Sequence, residues 1–72
     1  MIKVAVIGCG AMGLMHLHCY KALSEKVQVI AVADADPNKT KSAVAISGAD
    51  TKIYSDANVL IEQEKPDVID IC

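Results

Sequence analysis

The stretch Val6-Ile-Gly-Cys-Gly-Ala-Met-Gly13 puts three glycines, Gly8, Gly10 and Gly13, directly behind an apolar, β-branched run. Glycine loses more conformational freedom on folding than any other residue, so such a cluster needs a structural reason. The run before it, Lys3–Ile7, is short and closed by glycine, which suits a strand buried in a parallel sheet. From Ala11 to about Leu23 the period becomes helical. Met12, Met15, His16, Cys19, Ala22 and Leu23 fall on one face and are the predicted core stripe of a first helix. A strand that turns through glycines straight into a helix opens a βα unit and commits the chain to an α/β layer.

The rest of the sequence repeats that alternation. Val27–Ala33 (VQVIAVA) reads as a second strand. Asp36-Pro37 reads as an N-cap followed by proline at the first helical position, and Gly48 as the stop. The helix between them, Asn38–Ser47, turns Lys39 and Lys41 to solvent. Lys52–Tyr54 is a third strand, Ser55 or Asp56 caps a third helix through Val59, Leu60 and Ile61, and Pro66 closes it. Asp67–Cys72 is a fourth strand. The order is βαβαβαβ, without an internal repeat or low-complexity linker. Right-handed crossovers then give an open parallel sheet of order 3-2-1-4, with helices one and two on one face and helix three alone on the other.

In this setting the glycines acquire separate roles. Gly8 permits the tight turn, Gly10 lets a pyrophosphate approach the backbone, and Gly13 lets the helix pack close to the sheet. The N–H groups around Ala11 and Met12, at the helix N-terminus, would face the phosphates. Asp34 follows Gly13 by 21 positions at the end of strand two, where a carboxylate accepts hydrogen bonds from adenosine ribose hydroxyls. A turn serving only chain reversal leaves Asp34 unexplained. S-adenosylmethionine enzymes also join a glycine-rich turn to such an acid, but their glycines at every second position are absent. The candidate cofactor-binding residues are therefore Gly8, Gly10, Ala11, Met12, Gly13, Asp34 and Ala35. Asp34 would repel the 2′-phosphate of NADP, and the chain has no arginine to hold it, so NAD is the expected cofactor and NADP the less favoured one, with Lys39 nearby as the one opposing charge.

Composition excludes several alternatives. Seventy-two residues make one small domain. The net charge of −2 and seven scattered lysines argue against nucleic acid or an anionic membrane as partner. No apolar run is long enough for a signal sequence or a membrane span, so the expected location is cytoplasmic. Cys9, Cys19 and Cys72 form an odd set without a CxxC pair, neither a disulfide framework nor a zinc site, and read as free thiols.

The runs IKVAVIGCGAMGLMHLHCY, VIAVADADPNK and KIYSDANVLIEQEKPDVIDIC resemble the N-terminal portion of the glucose–fructose oxidoreductase/inositol dehydrogenase (Gfo/Idh/MocA) family. The shared features are GxGxMG, a histidine three residues after the last glycine, a VADxDP turn, a Tyr-Ser-Asp step and a D-V-x-D-I strand. The resemblance implies the N-terminal half of an NAD(P)-binding Rossmann domain, in an enzyme that takes hydride from a secondary alcohol of a sugar or polyol. In that family the catalytic lysine lies in a Glu-Lys-Pro motif after a fifth strand. Glu64-Lys65-Pro66 precedes strand four, so Lys65 does not match it and reads as a solvated turn residue. No catalytic residue carries over, and the second half of the domain and the substrate domain lie outside this sequence, so the chain alone is expected to be inactive. A non-catalytic nucleotide-binding or assembly module is the alternative.

His16, His18 and Cys19 look like metal ligands, but His16 and His18 point about 200° apart on a helix, and no metal site is expected from them. His16 is expected to be a satisfied, buried histidine, and Cys9 a packing residue. Asp70, mid-strand, needs either an exposed sheet face or a partner. Strand four would leave an open edge and a bare sheet face, which predicts a homo-oligomer.

Overall fold

Each β-branched run becomes a strand, and each segment opened by a glycine or capping aspartate becomes a helix. The computed structural model, which describes residues 1–72, contains β1 (Ile2–Ile7), α1 (Ala11–Ala22), β2 (Val27–Ala33), α2 (Pro37–Ser47), β3 (Lys52–Tyr54), α3 (Ala57–Glu64) and β4 (Val68–Ile71). The four strands are parallel in the order β3-β2-β1-β4, the predicted 3-2-1-4. β4 is one residue shorter at each end than the sequence suggests. Both flanks stay tied to β1 all the same, through Asp67 N to Lys3 O and Cys72 N to Ile7 O, each 2.9 Å.

Strand alternation sends β1 into two cores. Val4 and Val6 join Cys9, Leu17, Val32 and Ala43 beneath α1 and α2. Ala5 faces the other way with Ala31 and Ala33, a floor of small residues that holds Leu60 of α3. The β1–β2 register shifts between Val4 and Ala5, where Val29 and Ala31 are the successive partners and Ile30 is the extra residue. Both helix caps follow from the sequence. The Asp36 carboxylate accepts from Asn38 N at 2.9 Å and the Asp56 carboxylate from Asn58 N at 2.8 Å, which settles the choice between Ser55 and Asp56. Gly48 ends α2 at φ +114°.

The stripe expected on α1 is not the buried one. Met12, Met15 and Leu23 are each at least half exposed, and Cys19 and Ala22 lie in solvent. The buried line is Gly13 and Leu17, flanked by the half-buried Leu14 and Tyr20. The cause is steric. A Cβ on Gly13 would lie 2.0 Å from the Gly8 carbonyl oxygen, so α1 touches the strand-to-helix turn along Gly13, and Leu17 follows one turn later. Apolar residues surround most of α1, so their spacing alone does not choose the face.

Asp70 has found partners. It lies opposite Val6 on the α1 side of β4, where its Oδ2 accepts from Tyr20 Oη at 2.6 Å and pairs with His16 Nδ1 at 2.7 Å. His16 is half-buried rather than fully enclosed. Burial, then the hydrogen bond to Asp70, pushes the Tyr20 phenol up to about 12, which keeps it a donor.

Candidate functional site

At the C-terminal ends of β1 and β2 lie, side by side, the glycine turn and the β2–α2 turn. Ligands of open parallel sheets bind at this end. Gly8 adopts φ +95°, and a Cβ there would lie 2.6 Å from the Cys72 carbonyl oxygen. Gly8 is thus required twice, by its backbone angle and by the end of β4. Gly13 is required by the closeness of α1.

Gly10 is different. It is the N-cap of α1, with φ −75° and ψ −164°, angles that any residue adopts. A Cβ placed on it meets nothing within 4 Å. Neither backbone nor packing asks for glycine at this position. The helix it opens has no side-chain cap and no acidic residue in its first turn, whereas aspartates cap α2 and α3. The first-turn N–H groups of Ala11, Met12 and Gly13 are therefore left pointing outward with the positive end of the helix dipole.

Asp34 stands beside this turn and is bound to it. Its Oδ2 accepts from Cys9 N at 2.8 Å, and its Oδ1 accepts from Asp36 N at 2.9 Å. These backbone donors, Asp36 first and then Cys9, with Lys39 adding a weaker attraction, hold its carboxyl below the usual carboxylate range. One oxygen thus fixes the glycine turn and the other fixes the β2–α2 turn, and each keeps acceptor capacity for a ligand hydroxyl. Sequence spacing finds Asp34 but not this bond to Cys9.

A cleft of about 270 Å³ opens between the turns, lined by Ile7, Gly8, Ala33, Asp34, Ala35, Ser55 and Ala57. A second, of about 210 Å³, shares Asp34, Ala35 and Ser55 and extends over Pro37, Thr40, Ile53 and Tyr54. Ser55, Ile53 and Tyr54 are additions to the residues picked from sequence. Their signal was position, at the end of β3, since strand ends on this side all border the cleft. A larger hollow of about 400 Å³ lies at the opposite end of the sheet, around Met1, Tyr20, Val27 and Gln28, with neither a glycine turn nor a helix N-terminus facing it.

The remaining candidates sort themselves by contact. Cys9 is buried, and its thiol donates to Ala33 O at 3.7 Å. Burial, with Asp34 second, pushes that thiol up to about 11, so it is a packing group. His18 and Cys19 are exposed, and Lys65 is an exposed residue in the left-handed conformation at the end of α3. No helix is long and apolar enough to cross a membrane.

Comparison with known proteins agrees with this geometry. The family model described as an oxidoreductase family with an NAD-binding Rossmann fold, GFO_IDH_MocA, matches residues 2–72. The inositol 2-dehydrogenase of Ralstonia nicotianae is 37% identical over 67 residues, which are 93% of this chain and 19% of that protein. The inositol 2-dehydrogenase of Klebsiella pneumoniae is 31% identical over 94% of this chain and 20% of its own length. The crystal structure of myo-inositol dehydrogenase from Lactobacillus casei, in complex with NAD(H) and myo-inositol, superposes with a TM-score of 0.89 at 30% identity, covering 100% of this chain and 21% of that one. The chain spans about a fifth of the length of the relatives it matches. With the strand order, the glycine turn and the strand-two acid all in place, the chain belongs to the Gfo/Idh/MocA oxidoreductase family and carries its NAD-binding Rossmann fold.

Proposed function

We propose that this chain binds NAD as the N-terminal half of the dinucleotide-binding domain of an oxidoreductase acting on a sugar, polyol or related secondary alcohol. Gly10 carries the reading. It is a glycine that the fold does not need, beside uncapped N–H groups, and a pyrophosphate is the group that would use the space its Cβ would fill. Gly8 and Gly13 shape the turn, and the N–H groups of Ala11 and Met12 meet the phosphates. Asp34 accepts from the ribose hydroxyls, and Ala35 leaves the cleft open beside them. Bound NAD supplies the hydride acceptor. The names of the relatives support a polyol substrate.

NAD is preferred to NADP because the Asp34 carboxylate faces the ribose position and no arginine is present to offset a further phosphate. Titration calorimetry with NAD, ADP-ribose and NADP tests both points. NAD and ADP-ribose bind more tightly than NADP, and Asp34→Ala weakens NAD by about tenfold or more, equivalent to about 1.4 kcal/mol. Tighter binding of NADP, or no change in Asp34→Ala, refutes the assignment.

The same reading includes self-association in a cytoplasmic setting. Three free thiols accord with a reducing compartment. β4 pairs only with β1, and Ile69 and Ile71 are exposed on the sheet face that α3 covers only in part. Pairing of β4 with its own copy, or stacking of these faces, would cover both. Sedimentation at micromolar concentration gives a dimer or larger on this view, and a monomer refutes it.

A further inference from the structure

The Asp70 network contains one more group than packing calls for. Asp70 on β4 and Cys72 just past its end are two residues apart and share the α1 side of the sheet, where His16 comes down from α1 to meet them. His16 Nδ1 is 2.7 Å from Asp70 Oδ2 and 3.4 Å from Cys72 Sγ, and Cys72 Sγ is 3.6 Å from Asp70 Oδ1. One nitrogen, one oxygen and one sulfur donor, all within 4.8 Å of one another, converge from two elements. His16 and Asp70 are half-buried and Cys72 is accessible, so the cluster is open on one side.

The two separations that involve Cys72 Sγ match a particular coordination polyhedron. Bonds of about 2.0–2.3 Å to nitrogen, oxygen and sulfur place the donors of a tetrahedral Zn²⁺ about 3.3–3.7 Å apart. The His16–Cys72 and Cys72–Asp70 spacings already lie in that range. Asp70 would bind through Oδ1, leaving Oδ2 to Tyr20 Oη at 2.6 Å, the outer-shell hydrogen bond that orients ligating carboxylates. The mixed donor set suits Zn²⁺ and disfavours Mg²⁺ or Ca²⁺, which take oxygen.

We propose that His16, Asp70 and Cys72 form a binding site for Zn²⁺ or a cation of like softness, with the fourth position open to water. The site shares no residue with the dinucleotide cleft and does not depend on the reading given for it. On binding, the Cys72 thiol releases its proton to solvent, and the neutral imidazole carries its proton on Nε2, leaving Nδ1 to the metal. No electron transfer is involved. The cation ties the edge strand β4 to α1, directly behind the glycine turn, since the Cys72 Cβ lies 3.7 Å from the place a Cβ on Gly8 would take.

The test uses the reduced, metal-free 72-residue chain titrated with Co²⁺ and then with Zn²⁺. One equivalent of Co²⁺ should give a thiolate-to-cobalt charge-transfer band with the intense visible bands of a tetrahedral site, and one equivalent of Zn²⁺ should remove both. Cys72→Ala abolishes the charge-transfer band, His16→Ala weakens binding at least tenfold, and Cys19→Ala changes neither. Cys72 lies outside both hydrophobic cores, and circular dichroism verifies that its variant is folded. Tyr20→Phe keeps the band and weakens binding several-fold. Absence of a sulfur-to-cobalt band in the parent chain, or a band that survives Cys72→Ala, overturns the proposal, as does a band lost in Cys19→Ala.

Discussion

Replacing the three glycines of the turn one at a time separates what the fold needs from what a ligand needs. In Gly13→Ala the new Cβ would lie 2.0 Å from the Gly8 carbonyl oxygen. Backbone atoms block it, so α1 must move outward by more than 1 Å to reach a contact of about 3.4 Å or more. Overpacking by a single carbon typically costs about 1–3 kcal/mol, and a backbone obstacle puts this case at the upper end. A domain of this size is stable by about 4–10 kcal/mol, so a loss near 3 kcal/mol removes about 30% of it or more, visible as a fall in Tm of about 4–8 °C per kcal/mol.

Gly8→Ala meets the Cys72 carbonyl at 2.6 Å and must also hold φ +95°, so its cost is similar or greater. Gly10→Ala has the opposite profile. Restricting the unfolded chain gains about 0.4–1 kcal/mol, and losing glycine at an N-cap costs a comparable amount, which leaves stability nearly unchanged. Its NAD affinity nonetheless falls by about tenfold or more, about 1.4 kcal/mol, because the methyl group enters the space assigned to the pyrophosphate. Urea unfolding followed by circular dichroism reads stability, and calorimetry reads binding. If Gly10→Ala destabilises as much as Gly13→Ala, or binds NAD as the parent does, Gly10 does not serve the pyrophosphate.

Asp34 and Asp70 both have carboxyls held below their ordinary range. The stability they contribute is therefore complete above the unfolded value near pH 4 and is lost as pH falls through the lower folded values; the acid limb of an unfolding curve is shallower in Asp34→Asn, and an unchanged limb contradicts this. Asp70→Ala leaves Tyr20 and His16 without their acceptor and lowers stability by about 2 kcal/mol, on the scale of hydrogen bonds to charged groups, while Tyr20→Phe lowers it by about half as much; chemical denaturation of both variants checks the ratio. Iodoacetamide at neutral pH modifies the exposed Cys19 well before Cys9, which is buried with its thiol raised to about 11, and peptide mass spectrometry gives the order.

The parts of the fold that were legible in the sequence are those written locally. Asp36-Pro37 and Gly48 bound α2 by their own backbone chemistry, and VQVIAVA delimits β2 without reference to anything distant. The face of α1 was not legible in this way. Six apolar or amphipathic residues at helical spacing pointed to one side, yet the helix presses its smallest residue, Gly13, against the sheet. Close approach is decided by absent volume, and a scale of hydrophobicity does not register it. The partners of Asp70 were equally hidden, because His16 and Tyr20 lie 54 and 50 positions away and only the pairing of β4 beside β1 brings them within reach. At the candidate site, motif spacing located Asp34 and the glycines. The carboxylate's grip on Cys9 N depends on how two turns sit side by side, and the contributions of Ser55 and Ile53 depend on where β3 ends.

The contact between Gly8 and the Cys72 carbonyl has a consequence for the order of assembly. The first βαβ segment holds every residue that a motif reader would require, and the Asp34 carboxylate already ties its turn at Cys9 N. The side of the turn that faces Cys72, however, is covered only when β4 arrives to lie against it. A nascent chain leaving the ribosome therefore displays the glycine signature long before it has a rigid nucleotide cradle. Closing so long a loop is slow compared with forming a hairpin or a helix. The rate at which binding competence appears during refolding should accordingly track the docking of β4, and lag behind the helical signal.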